Sequence, residues 1–501
     1  MMISPRLACI LFSIGLLLAA FHVTAGKKFD FNSRCQQAYA SIMELRLNEG
    51  TRLLLEERRA DPDNLVPVLL ENYIDFFVLF LNEDPAAYKL HHPDYQRRLE
   101  LLDAGPKNSP YYLYCKSVIH FQWAAIQVKF GQSWDAGWSF RRAYLQASEN
   151  LVLFPKFSPS QVILGAMQVA SGTIPEGYRW LSNLLGIKGS VKEGMSRLSY
   201  FINRKDIFSG IFLDEAIFYY LYLKFYVEND RDGVFEFINN HNLDLVNNHV
   251  FAYLACNLSI NSQQAARGIK IINGRNPSAE YLQTPVWKLE LGYASLQHLE
   301  PHAGRYLEEF LSEFRGKFYV KDAWQKLSWH YYIAGDMEKA NSARTRLLRS
   351  GTSESEADKQ AQHEAESGKW PNRVLLKARL LNDGGYHQEA LAVLQGMSIN
   401  DFSDISEKLE FSYRAGRIYD DMHNDSLALI YYAQAVKMGE SRQEYYASRA
   451  ALQTGFVFEK RGDCRQAAAW FRRCIQMKPS EYKNSLDQRA KSGLARCEPG
   501  K

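Results

Sequence analysis

The 501-residue sequence has little of what marks an enzyme or a nucleic-acid binder. Net charge is nearly absent: 60 Lys and Arg stand against 56 Asp and Glu, a formal +4. No broad basic excess is available to follow a phosphate backbone, so nucleic acid is not an expected partner. Cysteine is sparse, at seven residues, which excludes the disulfide-dense frameworks of small secreted domains. There is no Cys-x-x-Cys pair, no His-Glu-x-x-His, no Walker phosphate loop and no Gly-x-Ser-x-Gly elbow. Gly186-Ile187-Lys188-Gly189-Ser190 lacks the preceding strand that a nucleotide cradle needs. His91 and His92 are adjacent and point apart on regular structure, while Pro301 interrupts the spacing of His298 and His302, which reads as a surface loop. The adjacent pairs Asp214-Glu215 and Asp420-Asp421 are badly placed to share a proton and read as solvated faces or helix ends. No catalytic residue, metal ligand or cofactor is therefore expected. Alternating short runs between hairpin turns are missing too, and so are recurrent βαβ units, which leaves an all-α chain.

Long apolar runs are few. Leu7–Phe21 follows Arg6, and the small residues Val23-Thr24-Ala25 precede Gly26. This pattern predicts a secretory signal over 1–25 and an exported product: periplasmic, at the cell envelope or secreted. An uncleaved anchor is the rival, but the run is short for a span. Residues 65–83 and 211–227 are also apolar. Glu71, Asp75, Asp214, Glu215 and Lys224 within them favour a protein core over a bilayer, so no integral span is expected after signal removal. Six cysteines follow Gly26, and a bridge among Cys464, Cys474 and Cys497 is open, with no partner fixed by spacing. Asn257-Leu258-Ser259 and Asn424-Asp425-Ser426 match the glycosylation pattern.

What the chain has in quantity is helix-forming sequence and aromatics: 13% of residues, including 29 Tyr and 28 Phe, enough to fill many helix seams. A first helix is predicted over 29–57, others over 65–83 and 86–106, and shorter ones through the glycine-marked 157–204. Further helices are expected near 229–239, 243–257, 261–273, 285–299, 302–315 and 319–333. The polar stretch 352–369 reads as an exposed helix, with a mobile link as the alternative.

Helix-turn-helix units repeat along the chain. One uses Gly455, Phe458, Gly462, Ala467, Phe471, Cys474 and Pro479. In it, small residues admit helix crossings, Gly462 admits the turn and Pro479 ends the unit. The preceding unit has Gly416, Tyr419, His423, Ala428, Tyr432 and Ala435; the one before it has Ala378, Leu381, Gly385, Ala390, Leu394 and Met397. Another carries Trp324, Leu327, Ser328, Tyr331, Gly335, Ala340, Arg344 and Leu347, and a weaker copy carries Trp123, Ala124, Gly131, Ala136, Phe140 and Ala143. These residues resemble the tetratricopeptide-repeat family over 319–480, and more weakly over 108–150. Arg344 departs from the usual apolar residue at its position. The anchor alanine recurs at 390, 428 and 467, a spacing longer than the usual period of about 34 residues. Ile174-Pro175-Glu176, Leu184-Leu185-Gly186, Gly189, Gly194, Met195 and Leu198 resemble the outer-membrane/inclusion-body-clearance type of tetratricopeptide protein.

The resemblance implies an α-α superhelix, an alpha solenoid, divided into a signal (1–25), an irregular helical-repeat region (26–318), a C-terminal array (319–480) and a helical tail (481–501). It implies a non-catalytic scaffold whose first helices line a groove for a protein or peptide. Lys326, His330, Arg414, Arg417 and Gln453 lie between the packing positions of those helices and are the candidate groove residues, with an acidic segment as the fitting ligand. A structural or assembly role at the cell envelope is the alternative reading, and an enzyme with a cleft outside known motifs is a further one.

Overall fold

A computed structural model describes residues 26–173, 186–187, 189–477 and 483–498. The expected signal, Ile174–Glu176, Leu184-Leu185 and Pro479 lie outside them. The described residues are almost wholly helical. The only strand-like pairing among them is an isolated parallel bridge between Lys28 and Asn64. No described helix is long and apolar enough to cross a membrane. The chain divides into two compact units: residues up to Phe80 with Pro85–Asp230 and Ser278–Leu282, and Leu81–Asp84 with Arg231–Pro277 and everything from Gln283 onward.

The first unit is built on α1 (Ser33–Met43), α2 (Leu47–Ala60), α3 (Val66–Asn82), α4 (Pro85–Asp103), α5 (Pro110–Lys129), α6 (Ser133–Leu153), α7 (Pro159–Gly172), α8 (Val191–Asn203) and α9 (Ile207–Tyr226). The single helix expected over 29–57 is thus two. Leu45 takes a positive φ of 64° between them, and Asn32 caps the first through Cys35 N–H. Ser109 caps α5 at Tyr111 N–H, with Pro110 at the first helical position, where its missing N–H costs nothing. Neighbouring helices pack in pairs, α5 on α6 and α7 on α8 among them. Trp123, Tyr39, Tyr73, Tyr114, Phe201 and Phe212 fill the seams.

The second unit runs through α10 (Arg231–Asn240), α11 (His249–Ile260), α12 (Ala265–Gly274), α13 (Val286–Gln297), α14 (Ala303–Glu313), α15 (Val320–Ala334), α16 (Met337–Arg349), α17 (Glu356–Glu366), α18 (Arg373–Gly384), α19 (His387–Leu394), α20 (Ile405–Asp421), α21 (Asp425–Gly439), α22 (Tyr446–Lys460), α23 (Cys464–Gln476) and α24 (Lys483–Cys497). Consecutive helices pair again: α15 with α16, α20 with α21, α22 with α23. These repeating helix pairs are consistent with a solenoid-like fold.

The turns inside three pairs share one chemistry. Gly335, His423 and Gly462 take left-handed φ values of 88°, 60° and 77°. The next residue, Asp336, Asn424 or Asp463, then caps the second helix by accepting from the N–H of Lys339, Leu427 or Gln466. The second helices carry alanines 340, 390, 428 and 467, all fully buried. Their large residues seat against small ones: the Tyr432 ring on Gly416, and the Phe471 ring on Gly455.

The charged stretch 352–369 forms α17, but it is more than an exposed helix. Asp358, Ala361 and Ala365 are buried, and the Asp358 carboxylate accepts from Tyr319 N–H at 2.8 Å and Asp322 N–H at 3.0 Å, capping the start of α15. Arg344, the apparent departure, lies flat over the Trp370 ring at 3.6 Å. It also donates to the carbonyls of Lys369 (2.7 Å) and Gly368 (3.3 Å). An aliphatic residue there could not hold the end of α17.

Candidate binding face

In the second unit α15, α18, α20, α22 and α24 carry cations near rings. On α15, Lys326 pairs with Asp322 at 2.7 Å and lies 4.3 Å from the Trp329 ring. Arg379 on α18 approaches the same ring at 5.0 Å and Asp383 at 3.6 Å. On α20, Arg414 is buried, bonds Glu410 through Nε and Nη2 at 3.1 and 3.0 Å, and borders the Tyr413 and Tyr446 rings. Arg417 bonds both oxygens of Asp421 at 3.0 Å. On α22, Arg449 lies 5.0 Å from the Tyr445 ring, and Gln453 is half-buried. On α24, the exposed Arg489 reaches over Phe456 at 5.4 Å.

The carboxylates neutralise this face unevenly. Burial opposes the charge on Arg414 and Arg417, yet Glu410 holds the first well above its usual range, and Tyr432 and Asp421 do the same for the second. Arg489 behaves in the opposite way. Protein packed around its solvent-reaching side chain, and then Arg449, pull its pKa down, Tyr413 pulls against them, and Arg231 and Arg417 lower it further. Among the described residues Arg489 has no carboxylate in ion-pair reach. Arg449, Arg231 and Arg417 thus lie near enough to Arg489 for their charges to bear on it.

Four of the expected groove residues, Lys326, Arg414, Arg417 and Gln453, sit on these helices. His330 does not present a free imidazole: its ring is pressed against Gly304 of α14, and burial lowers its pKa. Arg379, Arg449 and Arg489 escaped the sequence reading. A signal existed for one of them, because Arg379 follows Ala378 as Arg417 follows Gly416, at the same repeat position.

Other polar clusters were also missed. In the first unit Asp75, His91 and Asp94 each offer one ligand atom within 4.8 Å of one another. Arg98 Nη2 already sits 2.6 Å from Asp75 Oδ2, and His91 Nδ1 lies 3.1 Å from Oδ1. A cation would have to lie beside the guanidinium, so the donor set fits an ion-pair network better than a metal. Burial raises the Asp75 pKa against the pull of Arg98 and His91. Deeper in that unit, the buried Glu215 carboxylate accepts from Tyr39 at 2.7 Å and Tyr73 at 2.9 Å. Neither member of the Asp214-Glu215 pair had been read as a core residue, and Glu215 is one.

In the second unit, burial pushes Glu290 up to about 7 while Asn257 holds one of its oxygens at 2.8 Å. That bond also ties up the amide of the Asn257 glycosylation pattern. The Asn424 side chain serves as the α21 cap. His298, expected in a surface loop, stacks on Tyr386 at 3.8 Å and bonds Glu300 at 2.8 Å. A cleft of about 430 Å³ opens between α19 and α20–α21, lined by Leu391, Gln395, Met397, Tyr419 and Tyr431, with no carboxylate or imidazole in its wall. A helical, strand-free fold of this kind is often non-catalytic; the Asp75 cluster is the feature that bears on an exception.

No family model matches the chain, and no curated protein matches it. Among solved structures, one chain of the crystal structure of the APC/C hetero-tetramer Cut9-Hcn1 aligns at 13% identity. The alignment covers 92% of this chain and 99% of that one, with a TM-score of 0.26. A likeness at that level carries no inference about function.

Proposed function

We propose that the chain is an exported, non-catalytic scaffold of tetratricopeptide type that holds a protein or peptide partner through an acidic segment. The partner lies along α15, α18, α20, α22 and α24, its carboxylates meeting arginines and its apolar parts the rings between them. The observation that carries this reading is the set of arginines laid against rings, Arg379 by Trp329, Arg414 by Tyr413 and Tyr446, Arg449 by Tyr445 and Arg489 by Phe456, which offers cations beside apolar surface. Backbone segments in extended form suit such a face because side chains alternate and can find successive cations.

Copurification tests the reading. Full-length protein is recovered from its host with Arg449→Glu plus Arg489→Glu, and separately with Arg305→Glu, an exposed arginine on α14 that serves as the control. Arg414 is unsuitable for reversal, because it is buried against Glu410. Loss of a specific acidic partner from the double variant alone supports the proposal. Unchanged recovery of every partner rejects it.

A further inference from the structure

The last described helix is pinned at both ends. Lys483 Nζ at the start of α24 donates to the Ile475 carbonyl near the end of α23 at 2.8 Å, and Arg496 Nε near the end of α24 reaches Glu459 at 2.6 Å, beside the turn that opens α23. The two helices are therefore antiparallel. Their outer ends, Cys464 at the first position of α23 and Cys497 at the last of α24, come together there. Cys464 lies close enough to Cys497 to raise its pKa. Cys464 is exposed and Cys497 half-buried, whereas Cys474, the third cysteine of this region, is sealed in the core.

We propose that Cys464 and Cys497 form an intramolecular disulfide that staples α24 to α23. The order of events follows from exposure. The Cys464 thiolate attacks one sulfur of a small-molecule disulfide such as oxidised glutathione, forming a mixed disulfide and expelling one glutathione thiolate. The Cys497 thiolate then attacks Cys464 Sγ and expels the second. One protein S–S bond forms, the reagent's S–S bond breaks, and the two protein thiol protons are taken up by the two glutathione thiols. Burial, Cys464 and Glu459 raise the Cys497 pKa to about 11, which assigns it the second, intramolecular step, where proximity offsets a low thiolate fraction. Such a link closes a loop across the junction of the two helices and restrains α24.

The test uses the full chain incubated with oxidised glutathione, digested with trypsin and mapped without reductant. The expected product joins the peptides Gly462–Arg465 and Cys497–Lys501. Hydrogen exchange of α24 amides should then slow by about tenfold or more, and recover when reductant is added. Cys464→Ser, at an exposed position, should keep the reduced exchange rate with or without oxidant. Stable glutathione adducts on both cysteines, a link to Cys474, or a link that leaves α24 exchange unchanged would each overturn the proposal.

Discussion

A methyl group added at Gly455 tests the repeat packing sharply, because two effects predict opposite signs. Gly455 lies inside α22, where alanine is the better helix former by about 1 kcal/mol, so propensity alone predicts stabilisation. A Cβ at this position, however, would stand 2.5 Å from Phe471 Cδ1, more than 1 Å inside ordinary carbon–carbon contact at roughly 3.5–4.0 Å. The ring cannot retreat, because a Cβ on Gly493 would meet its opposite edge, Cε2 and Cζ, at 2.5 Å as well. Overpacking of this kind costs about 1–3 kcal/mol, so after the propensity gain Gly455→Ala should destabilise the second unit by about 1 kcal/mol net, and by no more than about 2 kcal/mol. Phe471→Ala removes a fully buried ring and should cost about 3–5 kcal/mol. Joining Gly455→Ala to Phe471→Leu should cost less than the sum of the two, since the smaller side chain vacates the space the methyl needs. The assay is hydrogen exchange across α22, α23 and α24 alongside urea unfolding, because a chain with two units need not unfold in one transition. A stabilised or unchanged Gly455→Ala, or strict additivity in the double variant, refutes the reasoning.

The remaining predictions concern buried carboxylates and histidines. Glu290 is neutral in the folded protein up to a pKa of about 7, while its unfolded value is near 4.5. Keeping it buried therefore costs nothing below pH 4.5, and the cost grows as pH rises through 7, reaching about 3 kcal/mol above that. Glu290→Gln should flatten the melting temperature between pH 4.5 and 7 and raise it at pH 8; an unchanged pH profile contradicts the assignment. His249 and His120 act in the opposite direction. Burial lowers them to about 4 and about 3, so their contribution is full above pH 6.5 and is lost as pH falls towards those values, as melting curves between pH 7 and 4 should record. Tyr39→Phe removes one donor from the buried Glu215 carboxyl and should cost about 1–3 kcal/mol; a change below about 0.5 kcal/mol would mean that Tyr73 and Tyr219 satisfy it without Tyr39.

The helical class and the C-terminal units were legible because their signals are local. A glycine or histidine at a turn, an Asx cap after it and a small residue opposite a ring each act within one helix pair. Arg344 shows where local reading stops: its partners, Trp370 and the carbonyls of residues 368 and 369, come from beyond the next helix. His330 fails for the same reason, since Gly304 of the preceding pair occupies its ring face. The split of 29–57 was hidden because Leu45, with no glycine to announce it, supplies the positive φ. The cationic face was half legible. Arg414 and Arg417 stand on one helix, but Arg449 and Arg489 come from α22 and α24, and no spacing within one helix records that Arg417 and Arg449 lie near Arg489.

Fluorescence anisotropy of the full chain with a labelled glutamate-rich peptide, set against its glutamine counterpart, tests the central claim most directly. The account predicts preference for the glutamate peptide, affinity that falls as salt rises, and at least about tenfold weakening in the Arg449→Glu plus Arg489→Glu variant, equivalent to about 1.4 kcal/mol. Equal affinity for the two peptides, or a double variant that binds the acidic one as the native chain does, would contradict it.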